Sequence, residues 1–314
     1  RGEGARRALE AAGRRPAARQ GAVSVVAPRL YSYHVVASYP HDPECFSQGL
    51  AYAPAEGVFY ESCGLYRRSD VRRVETATGR VLSRVANGDK EFAEGLALAP
   101  KGDGDAEQAA VYQLLWHTNR VHSYELQTLA PIAAELRTPM VGDRRKKDGS
   151  LVGTGDGWGL AFDGTHLIGS DASSTLYFLE PGTMREVRRV TVTDEGRPVK
   201  WLNELEVVRG ELWANIWQRD CIARVDLASG AVLGWVLLNN LRQQAAAHMP
   251  QGKRMDVLNG IAFDASEGDG KLYLTGKNWP RLFEVEVQAV QASGPADLES
   301  ARRHCIVPTE VTTP

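Results

Sequence analysis

The sequence predicts an all-β fold, a five-bladed β-propeller of four-stranded antiparallel blades. Three observations carry that expectation. A short apolar motif recurs five times along the 314 residues. Each copy is followed by further apolar stretches separated by turns. The 31 Gly and 15 Pro are scattered rather than clustered, which suits many turns and not a helical bundle.

The five copies are Gln48–Tyr52, Glu94–Leu98, Trp158–Phe162, Asn203–Val207 and Asn259–Phe263. Each opens on a polar residue or Trp, mostly followed by Gly, then Leu or Ile, a small or polar residue, and an apolar one. Between Leu50, Leu96, Leu160, Leu205 and Ile261 the intervals are 46, 64, 45 and 56 residues. Insertions at Pro100–Gln108, Arg137–Thr154 and Asn239–Met255 account for the longer ones. The underlying period is about 45 residues, that of one four-stranded blade.

A second apolar stretch follows each motif: Val58–Gly64, Ala110–Trp116, His166–Ser170, Glu211–Gln218 and Lys271–Lys277. A third comes next, at Val71–Glu75, Val121–Leu126, Leu176–Leu179, Ile222–Leu227 and Leu282–Val287. Runs of β-branched and aromatic residues bounded by Gly and Asp read as strands. Turns such as Thr76-Ala77-Thr78-Gly79 lead to a fourth. The fifth copy has no clear fourth strand. The alternating run Tyr31–Tyr39 is expected to supply it and so close the ring, which removes open sheet edges. Consecutive hairpins in a sandwich would also repeat, but five copies in one register favour the propeller. The expected organisation is a tail over residues 1–27, the propeller over 28–287 and a C-terminal extension outside the main fold over 288–314.

Composition narrows the function. Lys and Arg number 37 against 39 Asp and Glu, a net charge of −2, so no strong basic field exists for nucleic acid or an anionic membrane. No apolar run approaches the ~20 residues of a membrane helix. There is no H-E-x-x-H, G-x-S-x-G, Walker or Rossmann motif. Four cysteines, Cys45, Cys63, Cys221 and Cys305, form no C-x-x-C. Cys45 and Cys63 fall near facing ends of one hairpin, within reach of a cross-link; free thiols are the simpler default. The first residue is Arg rather than Met, and the Arg/Ala-rich tail is read as a disordered basic segment or the remnant of a targeting peptide.

Blade geometry gathers the polar motif residues. First strands line the central channel and begin on the face where second strands end. Gln48, Glu94, Trp158, Asn203 and Asn259 should therefore ring one mouth, joined by Cys63, Trp116, Asp171, Trp217 and Lys277. The insertions Arg137–Thr154 and Asn239–Met255 should rise on this face and wall a pocket; Pro100–Gln108 should lie on the other. The run Arg144-Arg145-Lys146-Lys147 reads as a solvated loop, and Trp201, Trp213, Trp235 and Trp279 as core or rim plugs. A channel carboxylate such as Glu94 is commonly a structural hydrogen-bonding group. Convergence of aromatic walls and a few polar groups is instead the form of a small-molecule site.

At these residues the chain resembles a known family. Phe46-Ser47-Gln48-Gly49-Leu50, Phe92-Ala93-Glu94-Gly95-Leu96, Asp156-Gly157-Trp158-Gly159-Leu160, Leu202-Asn203-Glu204-Leu205-Glu206, Trp213-Ala214-Asn215-Ile216-Trp217-Gln218 and Thr275-Gly276-Lys277-Asn278-Trp279-Pro280 are similar to motifs of the plant-type glutaminyl cyclases. The resemblance runs from about Tyr31 to Val287 with the motifs in order. Departures are the three insertions, both tails, and Cys63 where the family commonly has a small residue.

The resemblance implies a glutaminyl-peptide cyclotransferase, which turns an N-terminal glutamine into pyroglutamate and releases ammonia. It implies Glu94 as the acid/base, with Asn203, Gln48 and Lys277 as polar groups around the substrate. Trp116, Trp158 and Trp217 would supply aromatic walls and indole N–H groups, and Phe46 and Phe92 further walls. Asn203, Gln48 or an indole N–H would stabilise the oxyanion. No metal is needed for that chemistry; a structural calcium or zinc is compatible with the resemblance, with ligands unknown. Expected partners are peptides or proteins with N-terminal glutamine, and a monomer is expected. The resemblance favours a secretory or extracellular setting, although the chain has no N-x-[ST] sequon. Two rival classes are a calcium-dependent propeller hydrolase using Glu94, Asn203, Asn259 and Asp171, and a non-catalytic binding platform.

Overall fold

The computed structural model describes residues 27–102, 108–132, 135–142, 156–266, 268–291 and 294–308. The basic tail, the run Arg144-Arg145-Lys146-Lys147 and most of the insertions Pro100–Gln108 and Arg137–Thr154, for which the sequence sets expectations, lie outside the described residues.

Among the described residues the chain is all-β with two short helices. Strand β1 is Arg29–Pro40. Then come β2 (Phe46–Ala53), β3 (Val58–Gly64), β4 (Asp70–Glu75) and β5 (Val81–Ala86), one antiparallel sheet in chain order. A second such sheet holds β6 (Ala93–Pro100), β7 (Ala109–Leu115), β8 (Arg120–Glu125) and β9 (Leu136–Arg137). A third holds β10 (Leu160–Phe162), β11 (Leu167–Ser170), β12 (Thr175–Leu179) and β13 (Glu186–Thr191). A small hairpin, β14 (Thr193–Asp194) and β15 (Arg197–Pro198), precedes β16 (Leu202–Val208), β17 (Glu211–Ile216), β18 (Cys221–Asp226) and β19 (Val232–Leu237). Helix α1 (Leu241–Ala246) leads to β20 (Leu258–Asp264), β21 (Lys271–Gly276) and β22 (Arg281–Ala289), and α2 is Pro295–Cys305.

Strand β1 pairs antiparallel with β22, from Tyr31 opposite Ala289 to Pro40 opposite Arg281. Its first residues also run parallel to β19. The run Tyr31–Tyr39 thus lies beside the last strand of the chain, as its alternation suggested. Strands β16–β19, β1 and β20–β22 form one eight-stranded sheet. Strands β2, β6, β10, β16 and β20 touch in a cycle, β2 to β6 to β10 to β16 to β20 and back to β2.

Burial follows from that arrangement. Strand β3 is buried at every position, whereas β5 and β13 alternate half-buried and exposed. A strand between two covered faces reads as a continuous apolar run; an outer strand shows period two. Trp201, Trp213, Trp235 and Trp279 are all buried, as expected of core tryptophans.

Two expectations need correction. The segment from Gln288 does not lie wholly outside the fold. Strand β22 continues to Ala289, and Leu298, Ala301, Cys305 and Val307 join the core beneath β16–β19. An ion pair is one of its anchors. Arg302 donates to Asp194 through Nε at 3.0 Å and Nη2 at 2.5 Å. Asp194 is fully buried and also accepts from the Trp235 indole at 2.9 Å. The thiols are not free either: Cys45–Cys63 and Cys221–Cys305 are disulfides, the latter tying α2 to β18 across 84 residues of sequence. The partner of Cys221 lies in a segment the repeat pattern did not reach.

Removing one partner of a buried ion pair strands the other charge in low dielectric. Arg302→Leu is expected to destabilise the protein by about 3 kcal/mol, read from urea unfolding, because Asp194 stays buried and loses its counter-charge. A midpoint equal to wild type would show that α2 contributes nothing through this pair.

Candidate active site

Gln48, Glu94, Asn203 and Asn259 occupy equivalent places near the start of a first strand. At each the antiparallel register slips, between Ser47 and Gly49, Ala93 and Leu96, Leu202 and Leu205, and Leu258 and Ile261. A bulge frees a residue from the ladder and re-aims its side chain. The other site residues sit just beyond strand ends. Trp116 follows β7, Trp217 follows β17 and Lys277 follows β21, while Phe92 and Trp158 precede β6 and β10.

Together they line one cavity of about 290 Å³, with Phe46, Gln48, Phe92, Glu94, Trp116, Trp158, Asn203, Trp217 and Lys277 all in its wall. The remaining members of the expected ring are elsewhere. Asn259 is fully buried and gives its amide N–H to the Ser47 carbonyl and to Gln48 Oε1, at 2.9 and 3.3 Å. Asp171 accepts from Ser173, Tyr177 and the Gly142 amide, and Cys63 is bonded to Cys45. Asn239–Met255 carries α1 and does not line the cavity; the two residues after it, Asp256 and Val257, do.

Glu94 is 4 % exposed, and its carboxyl makes no hydrogen bond with any described residue. Burial pushes its pKa well above the carboxylate range. The nearby charge of Lys277 opposes that, and the charge of Asp156 adds to it. Lys277, equally buried, is held below its usual value by desolvation, against the pull of Glu94 and Asp256. Its Nζ lies 4.8 Å from the centre of the Phe46 ring. Asn203 is 1 % exposed, and neither Oδ1 nor Nδ2 has a partner among the described residues. A buried amide without partners normally costs stability, so it marks a place where the fold leaves a donor and an acceptor for something else.

The walls are aromatic. Phe92 packs edge-on to Phe46 and tilted against Trp116, with centroids 6.1 and 5.3 Å apart. Trp158 and Trp217 meet at 5.8 Å, with Trp201 behind both. Two indole N–H groups are already committed. Trp116 and Trp158 both donate to Asp156 Oδ1, at 2.7 and 3.1 Å. They therefore serve as walls, and Trp217 is the one of the three indoles not held by Asp156.

Sequence reasoning missed Leu65, Gln218, Asp256 and Val257 in the wall, and Asp156 behind it. Leu65 and Gln218 follow second strands at positive φ, 93° and 62°; Gln218 closes the matched Trp213–Gln218 motif, but the motif does not tell which way the turn aims it. Asp156 lies inside the matched Asp156-Gly157-Trp158 motif, two residues before a wall tryptophan.

Several antiparallel sheets and an aromatic cavity that holds a buried carboxyl, unbonded to any described residue, define an all-β protein with the form of a small-molecule site. Comparison with known proteins agrees and is more specific. A family model described as glutamine cyclotransferase matches residues 8–287. The glutaminyl-peptide cyclotransferase of Arabidopsis thaliana is 38 % identical over 279 residues, 89 % of this chain and 78 % of that protein. The crystal structure of Myxococcus xanthus glutaminyl cyclase is similar with a TM-score of 0.69 and 31 % identity, covering 84 % of this chain and all of that one. The chain belongs to the glutamine cyclotransferase family.

Lys277 is the positive charge facing Glu94, so its removal should raise the Glu94 pKa further. In Lys277→Met the Glu94 carboxyl resonance, followed by ¹³C NMR, is expected to titrate at higher pH than in wild type. An unmoved or lowered titration would separate the two groups electrostatically.

Proposed function

We propose that the protein is a glutaminyl-peptide cyclotransferase acting on N-terminal glutamine of peptides and proteins, with Glu94 as its proton shuttle. The observation that carries this reading is Glu94 itself, a buried carboxyl with no hydrogen bond to a described residue, in an aromatic cavity beside the unpartnered amide of Asn203. The scaffold is read as a five-bladed propeller. The three four-stranded sheets are blades one to three, β16–β19 the fourth, and β20–β22 with β1 the fifth, so that the N-terminal strand closes the ring. The cycle of first-strand contacts supports this.

The chemistry follows from the groups present. The substrate's α-amine attacks the carbon of its own γ-carboxamide, forming a C–N bond and a tetrahedral intermediate. Proximity already favours a five-membered ring. Glu94 takes the proton that the amine loses and delivers it to the leaving nitrogen. The second C–N bond breaks, the carbonyl re-forms as the lactam, and ammonia leaves. A carboxyl whose pKa burial has raised is better matched to both halves of that transfer than an ordinary carboxylate. The Asn203 amide offers an N–H donor group and a carbonyl acceptor, the complement of a γ-carboxamide. Its N–H would hold the developing oxyanion. Gln48 commits its oxygen to Asn259, leaving its Nε2 donor for the cavity. Phe46, Phe92, Trp116, Trp158 and Trp217 exclude water, and Lys277 balances charge when Glu94 ionises.

No metal enters this scheme. The four ligands a calcium-dependent hydrolase would need do not converge, because Asp171 and Asn259 are bound up outside the cavity. Cys45, Glu61 and Cys63 are close enough together to suggest zinc. Their sulfurs are joined, however, and Glu61 accepts from Ser47 and pairs with His41, so this trio does not fit the ion. The two disulfides support an oxidising, secretory or extracellular setting.

Ammonia release from a short peptide with N-terminal glutamine, with and without a strong chelator, tests the reading. Activity that survives chelation is expected; a folded protein that releases none would return the binding platform. In Glu94→Gln, kcat is expected to fall at least about 100-fold, the range for loss of a general acid/base. Substrate binding, measured by calorimetry, should persist. In Asn203→Leu, kcat is expected to fall about 100-fold, as for loss of one oxyanion donor. Its thermal midpoint should not fall, since the amide has no partner in the folded state to lose; a large loss of stability would make Asn203 structural.

A further inference from the structure

Asp156 touches the cavity through the residues it holds. It stands just before Trp158 and so at the entry to β10, at the edge of the third sheet. Its Oδ1 accepts the indole N–H of Trp158 from its own sheet and that of Trp116 from the end of β7 in the second sheet. One buried oxygen therefore fixes two cavity walls that belong to different sheets. An indole N–H is a single directional donor, so a shared acceptor sets both ring planes. His117 stacks on Trp116 with centroids 3.8 Å apart, and its Nε2 lies 3.6 Å from the same oxygen.

We propose that Asp156 is a positioning residue for the cyclisation, acting on the substrate through Trp116 and Trp158 and on Glu94 through its charge. This rests on the cyclase reading of the cavity. Among the described residues, the charges that bear on Glu94 are Asp156, ahead of β10, and Lys277 from the turn after β21, with Asp256 beyond Lys277 and His117 beside Asp156. Lys277 favours the ionised carboxylate and Asp156 the protonated acid. Asp156 thereby keeps a proton on the shuttle that burial alone would leave more exposed to the field of Lys277.

Two substitutions divide the two actions. Asp156→Asn keeps a side-chain oxygen for the indoles and removes the charge. Asp156→Ala removes both. In Asp156→Asn the acid limb of kcat/KM against pH should move to lower pH, because loss of the neighbouring negative charge lowers the Glu94 pKa. The ¹³C titration of Glu94 should move the same way, and near-ultraviolet circular dichroism of the tryptophans should be kept. In Asp156→Ala that spectrum should change and KM should rise. The rate should drop by about 100-fold, as when reacting groups are misplaced by about an ångström. A Glu94 titration in Asp156→Asn that stays at the wild-type pH overturns the proposal, whatever happens to the rate. So does an Ala variant with wild-type KM and spectrum. If Asp156→Ala does not fold, the Asn variant decides alone. A wild-type protein that releases no ammonia would instead sink the cyclase reading, and the Glu94 titration would still test the charge.

Discussion

The close approach of the first strands is the constraint on which the cavity depends. Gly49, Gly95 and Gly159 occupy the same place in three successive repeats. A Cβ on Gly49 would stand 2.3 Å from the Leu96 nitrogen, on Gly95 2.5 Å from the Leu160 nitrogen, and on Gly159 2.0 Å from the Asn203 oxygen. Each glycine thus lets one first strand lie against the next at backbone contact, which no other residue permits. The residues immediately before them are Gln48, Glu94 and Trp158. Residues contributed from distant points of the sequence can share one small cavity because the backbones that carry them touch.

The fourth repeat has Glu204 where the others have glycine, and it can be compared with Glu94 as a bonded carboxyl with an unbonded one. Both Glu204 and Glu94 are buried, and burial raises both pKa values well above the usual range. Glu204 spends its oxygens on the amides of Ile261 and Leu50, at 2.7 and 3.4 Å, and so ties β16 to β20 and β2. Glu94 makes no such bond with a described residue. An unbonded buried carboxyl costs the fold stability that a bonded one does not. That cost is intelligible if the empty valences are meant for a substrate's amine and leaving nitrogen. Asn203, with both amide atoms unpartnered, carries the same signature. The strain on polar satisfaction is concentrated where the proposed chemistry takes place.

Much of this was legible in the sequence because a repeat converts spacing into position. Once Leu50, Leu96, Leu160, Leu205 and Ile261 are equivalent, the start of every first strand and the end of every second share a face. Seven of the ten residues that the repeat places at this mouth line the cavity, while Asn259, Asp171 and Cys63 do not; Phe46 and Phe92, which only the family resemblance named, line it as well. The repeat could not distinguish Asn203, with a free amide, from Asn259, whose amide is consumed by Ser47 and Gln48. Hydrogen bonding within the site is a property of side-chain aim, and the bulges that set that aim leave no mark on periodicity. Features that break the repeat were harder still. Cys305 pairs with Cys221 from beyond the last copy, and Arg302 reads as one more surface charge until Asp194 is found buried beneath it.

The charge balance at Glu94 shows why a site like this draws on several sheets. Burial among Phe92 and the tryptophans favours the protonated form of Glu94. Lys277, arriving from the turn after β21, favours the ionised form. Asp156 opposes it, and the same carboxylate holds Trp116 and Trp158 in place. The two charges come from the fifth and third repeats and act on a residue of the second. Their balance is fixed only when the sheets have packed, so the proton affinity of Glu94 is a property of the assembled fold rather than of the motif around it.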